Sequence, residues 1–175
     1  GEKLTKVTTL LTEKSWYLNI FAKNFIGSFD TTKYGSIPMI YVGLIPLLLA
    51  VLFFTLRSIK FHVKLAYFLL ITILVASFYL QPLDSFWQGM HAPNMFLHRY
   101  SWTFSIVIIF LAAESLERLK EFKLTNILVS FSILGFGFIS TFIFKKHYKF
   151  LGSVNFILTL EFLVAYLLIF WAYTK

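Results

Sequence analysis

The residues best suited to chemistry lie in one stretch, residues 81 to 102, which reads QPLDSFWQGMHAPNMFLHRYSW. Its carboxylate, imidazole, amide and guanidinium groups are able to bind anions, move protons or hold a metal ion. Long apolar runs precede and follow this stretch, so these polar groups stand apart from the rest of the sequence. The candidate site residues are Asp84, Trp87, His91, Asn94, His98, Arg99 and Tyr100.

Arg99 is the strongest of these candidates for binding an anion. Its guanidinium stays protonated at any working pH and presents a planar fork of donors that fits a phosphate or a carboxylate. His91 and His98 titrate near neutral pH, and Asn94 offers both a donor and an acceptor. Together these residue types predict a site for a lipid phosphate. For Arg99 alone, the alternative is a headgroup anchor at a helix end.

The aromatic and acidic members of the stretch leave two interpretations open. Trp87 and Tyr100 have flat faces that suit a sugar ring, although such residues also collect at membrane interfaces without a ligand. Asp84 is a candidate base, or a metal ligand together with His91 and His98. That spacing matches no known ligand signature, so we assign no metal residues and keep a divalent cation only as an alternative cofactor.

Composition places the chain among integral membrane proteins. Hydrophobic residues make up 58% of it and charged residues 14%, against about 25% charged in soluble domains. The net charge of +8 comes from Lys and Arg at the ends of apolar runs, where they meet anionic lipids, so we predict no nucleic-acid partner. The absence of Cys excludes disulfides and thiolate catalysis in this sequence.

The apolar runs predict an all-α fold, a polytopic transmembrane helical bundle of about five spans. Such a bundle is small for a transporter or an enzyme, and the sequence begins at Gly1 rather than Met. We therefore expect a fragment of a longer protein, completed by further helices. The predicted bundle occupies residues 35–175, with spans at about 38–56, 65–80, 100–119, 124–144 and 153–174.

Residues 1–34 differ from the bundle because apolar residues recur there at helical spacing, with polar residues between them. This pattern predicts an N-terminal interfacial amphipathic helical segment, lying along the membrane rather than crossing it. The apolar positions are Leu4, Val7, Leu11, Leu18, Phe21 and Phe25.

Several residues predict local features within the spans. Pro46 should bend the first span because it removes an interior hydrogen bond. Gly135 and Gly137 favour close helix contact or local flexibility.

Two acidic residues also fall within predicted spans. Glu161 interrupts an apolar run, where an ionisable residue usually faces protein or water. It is a candidate substrate contact or proton-relay group, or else a protonated or hydrogen-bonded carboxyl that faces Asn155, Thr159 or a neighbouring helix. Glu114 is expected to pair with Arg118, four residues on.

Four motifs stand out in two segments, FIGSFDTTKYGSIPMIYVGLIPLLLAVLFF at 25–54 and LDSFWQGMHAPNMFLHRYSWTFSIVIIFLA at 83–112. They are the Gly-Ser-Phe-Asp turn, the Ile-Tyr-Val-Gly entry to a Leu-rich span, Trp-x-Gly before Pro-Asn, and Arg-Tyr-Ser. With these motifs, the two segments resemble the YfhO family of bacterial membrane proteins. That family is similar to C-type glycosyltransferases, which use polyprenyl-phosphate sugars outside the cytoplasmic membrane of bacteria. Family members are linked to adding sugars to teichoic acids of Gram-positive cell walls.

The resemblance implies a segment of a glycosyltransferase that moves a sugar from a polyprenyl-phosphate donor to a cell-wall polymer acceptor. It places loop 81–99 outside a multi-pass cytoplasmic membrane protein, an orientation that the Lys and Arg count alone does not decide. Enzymes of this class carry their catalytic carboxylate in the first external loop. Neither Asp30 nor Asp84 can be assigned that role, so this fragment alone is expected to be inactive. A flippase or transporter of the lipid-linked sugar, or a structural membrane subunit, remains the alternative.

Overall fold

The computed structural model describes residues 10–12, 16–28, 38–90 and 98–174. These residues form seven α-helices, with short 3₁₀ turns at Leu119–Glu121 and Lys145–His147. The fold of the described residues is therefore all-α, as predicted, apart from one isolated β-bridge. The helices are α1 (Asn19–Lys23), α2 (Leu44–Thr55), α3 (Phe61–Tyr79), α4 (Gln81–Trp87), α5 (Ser101–Glu117), α6 (Leu124–Ile143) and α7 (Ser153–Tyr173).

Three helices are long and apolar enough to cross a membrane, namely α3, α6 and α7. They coincide with the predicted spans at 65–80, 124–144 and 153–174, which confirms those three as candidates. Most of their large apolar side chains point away from the rest of the protein, as expected of helices whose solvent is lipid. The α5 helix matches the predicted span at 100–119 in position but has only 17 residues, so a count of five spans stays a prediction.

The α2 helix is the centre of the core, and it corrects the predicted span at 38–56. The helix has only 12 residues, or about 18 Å, which is too short to cross the hydrocarbon layer. Gly43 lies directly before the helix with a φ of 88°. This left-handed conformation is not helical, so the helix does not extend toward residue 38. Pro46 then lies in the first turn, where no hydrogen bond is lost, so the predicted bend at Pro46 is wrong.

Polar side chains hold α2 against its neighbours. Ser115 Oγ on α5 donates a hydrogen bond of 2.7 Å to the carbonyl of Leu49 in the core. Asn126 Nδ2, near the start of α6, donates one of 2.9 Å to the carbonyl of Thr55 at the end of α2. Since the last carbonyls of a helix have no partner inside it, this contact also satisfies the end of α2.

The N-terminal residues pack on the bundle. Residues 10–12 run beside the end of α3 and form a β-bridge between Leu11 and Leu80. Both backbone groups of Ile26 are bound by α7: its N–H donates to Thr159 Oγ1 at 3.1 Å, and its carbonyl accepts from Asn155 Nδ2 at 2.9 Å. The only helix in the described part of this segment is the five-residue α1. An interfacial helix across residues 1–34 stays a prediction, because much of that range lies outside the described residues.

Gly137 is required where α1 crosses α6. A methyl group at Gly137 would overlap the ring of Phe21, whereas one at Gly135 would meet no atom within 4 Å. The prediction of close helix contact is therefore confirmed for Gly137 and wrong for Gly135.

We expect Gly137→Ala to lower the free energy of unfolding by about 1–3 kcal/mol, the usual effect of overpacking. The measurement is unfolding in mixed micelles. Gly135→Ala is the matched control and should be neutral or slightly stabilising, because alanine is the better helix former. Phe21→Ala should abolish the difference between the two glycine variants. An equal effect of both substitutions in the wild-type background would contradict the proposed contact.

Candidate functional site

The candidate site is built where α3 ends and α5 begins. The chain leaves α3 at Leu80, whose extended backbone (φ −103°, ψ 116°) turns it into the short helix α4. Pro82 suits the first turn of α4, because it lacks the N–H that would be unpaired there. This corner carries Asp84 into the interior, where only 4% of the residue is exposed.

Asp84 accepts hydrogen bonds from two residues that flank Arg99 in the chain. His98 Nδ1 lies 3.0 Å from Asp84 Oδ1, and the Tyr100 hydroxyl lies 2.9 Å from the same oxygen. The Tyr100 hydroxyl is also 2.6 Å from the carbonyl oxygen of Ser77, so its single proton is shared between two acceptors. His98 and Tyr100 are both buried. We call Ser77, Asp84, His98 and Tyr100 the Asp84 network.

The electrostatics of the Asp84 network follow from its burial. Burial, and next the nearby Asp84 carboxylate, raises the pKa of Tyr100, so the phenol keeps its proton and acts as a donor. An imidazole that donates from Nδ1 to a carboxylate has its Nε2 left for another contact. The Nε2 atom of His98 has no hydrogen-bond partner within the part of the chain that the structure describes.

Aromatic rings fix Tyr100 from both sides. Its ring stacks on Phe78 at a centroid distance of 5.5 Å and on Trp87 at 5.4 Å, with interplanar angles of 14° and 19°. Trp87 Nε1 donates a hydrogen bond of 3.0 Å to Ser77 Oγ. One face of Trp87 is therefore occupied by Tyr100, while 43% of the residue is exposed.

Arg99 is exposed between its two buried neighbours. His98 has a φ of 54°, a conformation that is uncommon for any residue other than glycine and persists only where surrounding contacts hold it. Here His98 and Tyr100 are both bonded to Asp84, which fixes the backbone on each side of residue 99. Arg99 is therefore held at a rigid corner of the fold.

Of the predicted site residues, the structure brings Asp84, Trp87, His98 and Tyr100 together and places Arg99 at their edge. His91 and Asn94 lie outside the described residues. No group of three His, Cys, Asp or Glu side chains that could hold a metal ion occurs within the described ranges. Asp84 and His98 are adjacent, so they would supply two ligands if a divalent cation were bound there.

Sequence reasoning missed Ser77 and Phe78, which complete the site from α3. Ser77 lies in an apolar run, where a serine usually bonds the carbonyl four residues earlier, as Ser77 does to Ile73 at 2.7 Å. Nothing in that pattern distinguishes it from Ser140, which makes the same bond to Phe136.

The same end of the bundle carries exposed lysines and a second aromatic cluster. Trp16 stacks on His147 at a centroid distance of 4.1 Å, and Tyr148 donates a hydrogen bond of 2.8 Å to Asn19 Oδ1. Tyr79, the last residue of α3, donates one of 3.1 Å to the carbonyl of Tyr17. These contacts place the turn between α6 and α7, with exposed Lys145, Lys146 and Lys149, at the end of the bundle where the Asp84 network lies.

The two acidic residues of the predicted spans have different surroundings. Glu114 Oε2 pairs with Arg118 at 2.6 Å, which confirms that prediction. Glu161 is exposed and does not bond Asn155 or Thr159, whose side chains bind Ile26 instead. Asn155 and Thr159 are therefore excluded as its partners, whereas a contact with a neighbouring helix stays a prediction.

The comparisons with known proteins give one match. A family model described as "Bacterial membrane protein YfhO" matches residues 1–175, beyond the two segments that carry the sequence resemblance. Neither the curated proteins nor the solved structures include a match. With three candidate membrane spans and a match along the whole sequence, this chain belongs to the YfhO family of bacterial membrane proteins.

Proposed function

We propose that this chain is a segment of a membrane glycosyltransferase that moves a sugar from a polyprenyl-phosphate donor to a cell-wall polymer such as teichoic acid. The observation that carries the proposal is the position of Arg99. Arg99 is exposed at one end of the bundle, and the residues on both sides of it are bonded to a single buried carboxylate.

A rigid support matters because it lowers the entropy lost when a ligand is bound. An Arg fork binds two phosphate oxygens at once, which fixes both the position and the orientation of the phosphate. The lysines at 145, 146 and 149 lie at the same end and would raise the local concentration of anionic lipid. This arrangement suits the phosphate of a lipid carrier whose tail stays in the bilayer beside α3 to α5.

The reaction that fits is an inverting transfer. A base from another part of the protein removes the proton of the acceptor hydroxyl, and the resulting oxygen attacks the anomeric carbon of the donor. The bond between that carbon and the phosphate oxygen breaks, and the electron pair leaves with the polyprenyl phosphate. Arg99 stabilises the charge that grows on this leaving group.

The proposal assigns the Asp84 network to the outer face of the cytoplasmic membrane. The turn between α2 and α3 and the turn between α5 and α6 then lie in the cytoplasm, with Arg57, Lys60, Lys64, Arg118, Lys120 and Lys123. Short turns rich in Lys and Arg favour that side. The anionic lipids and the carrier phosphate would meet the opposite end, at Arg99 and at the turn between α6 and α7.

The function is tested with the intact protein, purified in detergent and supplied with a radiolabelled polyprenyl-phosphate sugar and a teichoic-acid acceptor. We expect label to enter the acceptor, and none to enter when the acceptor is omitted. A flippase would incorporate nothing under these conditions, because detergent removes the membrane across which it acts, and a structural subunit would incorporate nothing either. Folded protein without incorporation would therefore contradict the proposal.

A further inference from the structure

Glu161 lies near the middle of α7 on the face that points away from the core. Thr159 and Leu163 face inward and are buried, whereas Glu161 is exposed. It lies on an open, shallow surface patch of this helix that is otherwise apolar. The patch consists of Leu160, Glu161, Val164, Ala165 and Leu168.

A carboxylate at this depth needs a partner. An acidic residue at the centre of a span is costly to insert, and such residues almost always face protein or a water-filled cavity. Within the part of the chain that the structure describes, Glu161 makes no hydrogen bond and no ion pair. The partner must therefore come from outside the described helices.

A second copy of the same spans does not supply it. The α6 and α7 helices contain no Lys, Arg or His, and in α3 the only such residues are His62 and Lys64, both in the first turn. Two copies packed through α7 would therefore bring together two acidic side chains and no basic one.

We propose that this face of α7 docks a transmembrane helix from outside residues 1–175 that carries a Lys, Arg or His side chain at the depth of Glu161. The basic side chain pairs with the Glu161 carboxylate, while apolar residues of the same helix cover Val164 and Leu168. Ala165, one turn from Glu161, leaves room for the approach of that helix. This inference does not depend on the proposed enzymatic activity.

The test is photocrosslinking of the intact protein in native membrane vesicles. The photoreactive residue p-benzoylphenylalanine is placed at Val164 or at Leu168, and the crosslinked peptides are identified by mass spectrometry. We expect both positions to crosslink to one apolar peptide that contains a basic residue. Crosslinks to lipid alone, or to the α7 peptide of a second copy, would overturn the proposal.

A second variant tests the carboxylate itself. Glu161→Leu should lower the yield of that crosslink by about tenfold, the ratio given by about 1.4 kcal/mol, which lies in the range measured for polar contacts between membrane helices. Replacing the partner's basic residue by leucine should give the same loss, and combining the two changes should add little, as expected of coupled residues. An undiminished yield with Glu161→Leu would show that the contact does not use the carboxylate.

Discussion

Replacing Arg99 by alanine is expected to lower the rate of sugar transfer by about a hundredfold or more, which is the usual effect of removing one preorganised donor to a developing negative charge. The substitution should leave folding nearly unchanged, because Arg99 is exposed and its backbone is held by His98 and Tyr100. The rate is measured with the detergent-purified protein and a labelled polyprenyl-phosphate sugar, and folding is followed by unfolding in mixed micelles.

Two further variants separate the geometry of Arg99 from its charge. Arg99→Lys keeps the charge but loses the two-point contact, so its rate should fall between those of the wild type and Arg99→Ala. Lys146→Ala removes an exposed cation at the same end of the bundle. It should change the transfer rate only slightly, since Lys146 acts only through long-range electrostatic attraction. The role assigned to Arg99 is wrong if Arg99→Ala transfers sugar at the normal rate, or if Lys146→Ala is as slow as Arg99→Ala.

Removal of the Asp84 carboxylate is expected to have the largest effect on stability. Asp84→Ala should lower the free energy of unfolding by about 2–4 kcal/mol, since a buried donor that loses its acceptor costs about 1–3 kcal/mol. The loss arises because His98 Nδ1 and the Tyr100 hydroxyl both lose an acceptor in a buried site. Asp84→Asn should cost less, because an amide oxygen still accepts a hydrogen bond.

The control for Asp84 is the Glu114–Arg118 pair, which has a short contact of 2.6 Å but side chains that are 44% and 31% exposed. Ion pairs of this kind contribute about 0–1 kcal/mol because water screens them. Glu114→Ala should therefore change the free energy of unfolding far less than Asp84→Ala. Equal effects of the two substitutions would mean that the Asp84 network does not hold this corner of the fold.

The sequence predicts α3, α6 and α7 well, because a long uninterrupted apolar run in a membrane protein has few alternatives to a spanning helix. It does not predict that α2 is short and central. An apolar run that packs against protein has the same composition as one that faces lipid. The predicted span at 38–56 therefore includes non-helical residues before Leu44 as well as the helix itself. Gly43 and Pro46 are the only local signs of the boundary, and a proline fits the first turn of a helix as well as a bend in its interior.

For the site, residue types alone are enough to select the stretch from 81 to 102 but not its pairings. Asp84 bonds His98 and Tyr100 because α4 turns the chain back toward the start of α5, and that turn depends on tertiary packing. The hydrogen bonds that Ser77 accepts from Tyr100 and Trp87 also depend on tertiary packing, so the sequence does not predict them. The α7 run is apolar on nearly every side, so periodicity does not reveal that Glu161 points outward and away from Thr159.

The central claim is that Arg99 binds the phosphate of a polyprenyl carrier, and its most direct test is equilibrium binding of polyprenyl phosphate to the intact protein by native mass spectrometry. We predict that the wild type and Lys146→Ala bind the lipid with similar affinity, whereas Arg99→Ala binds about tenfold or more weakly, as expected from the loss of a charged hydrogen-bonding group worth about 1.5–3 kcal/mol. Equal affinity of Arg99→Ala and the wild type, with both proteins folded, would contradict the claim.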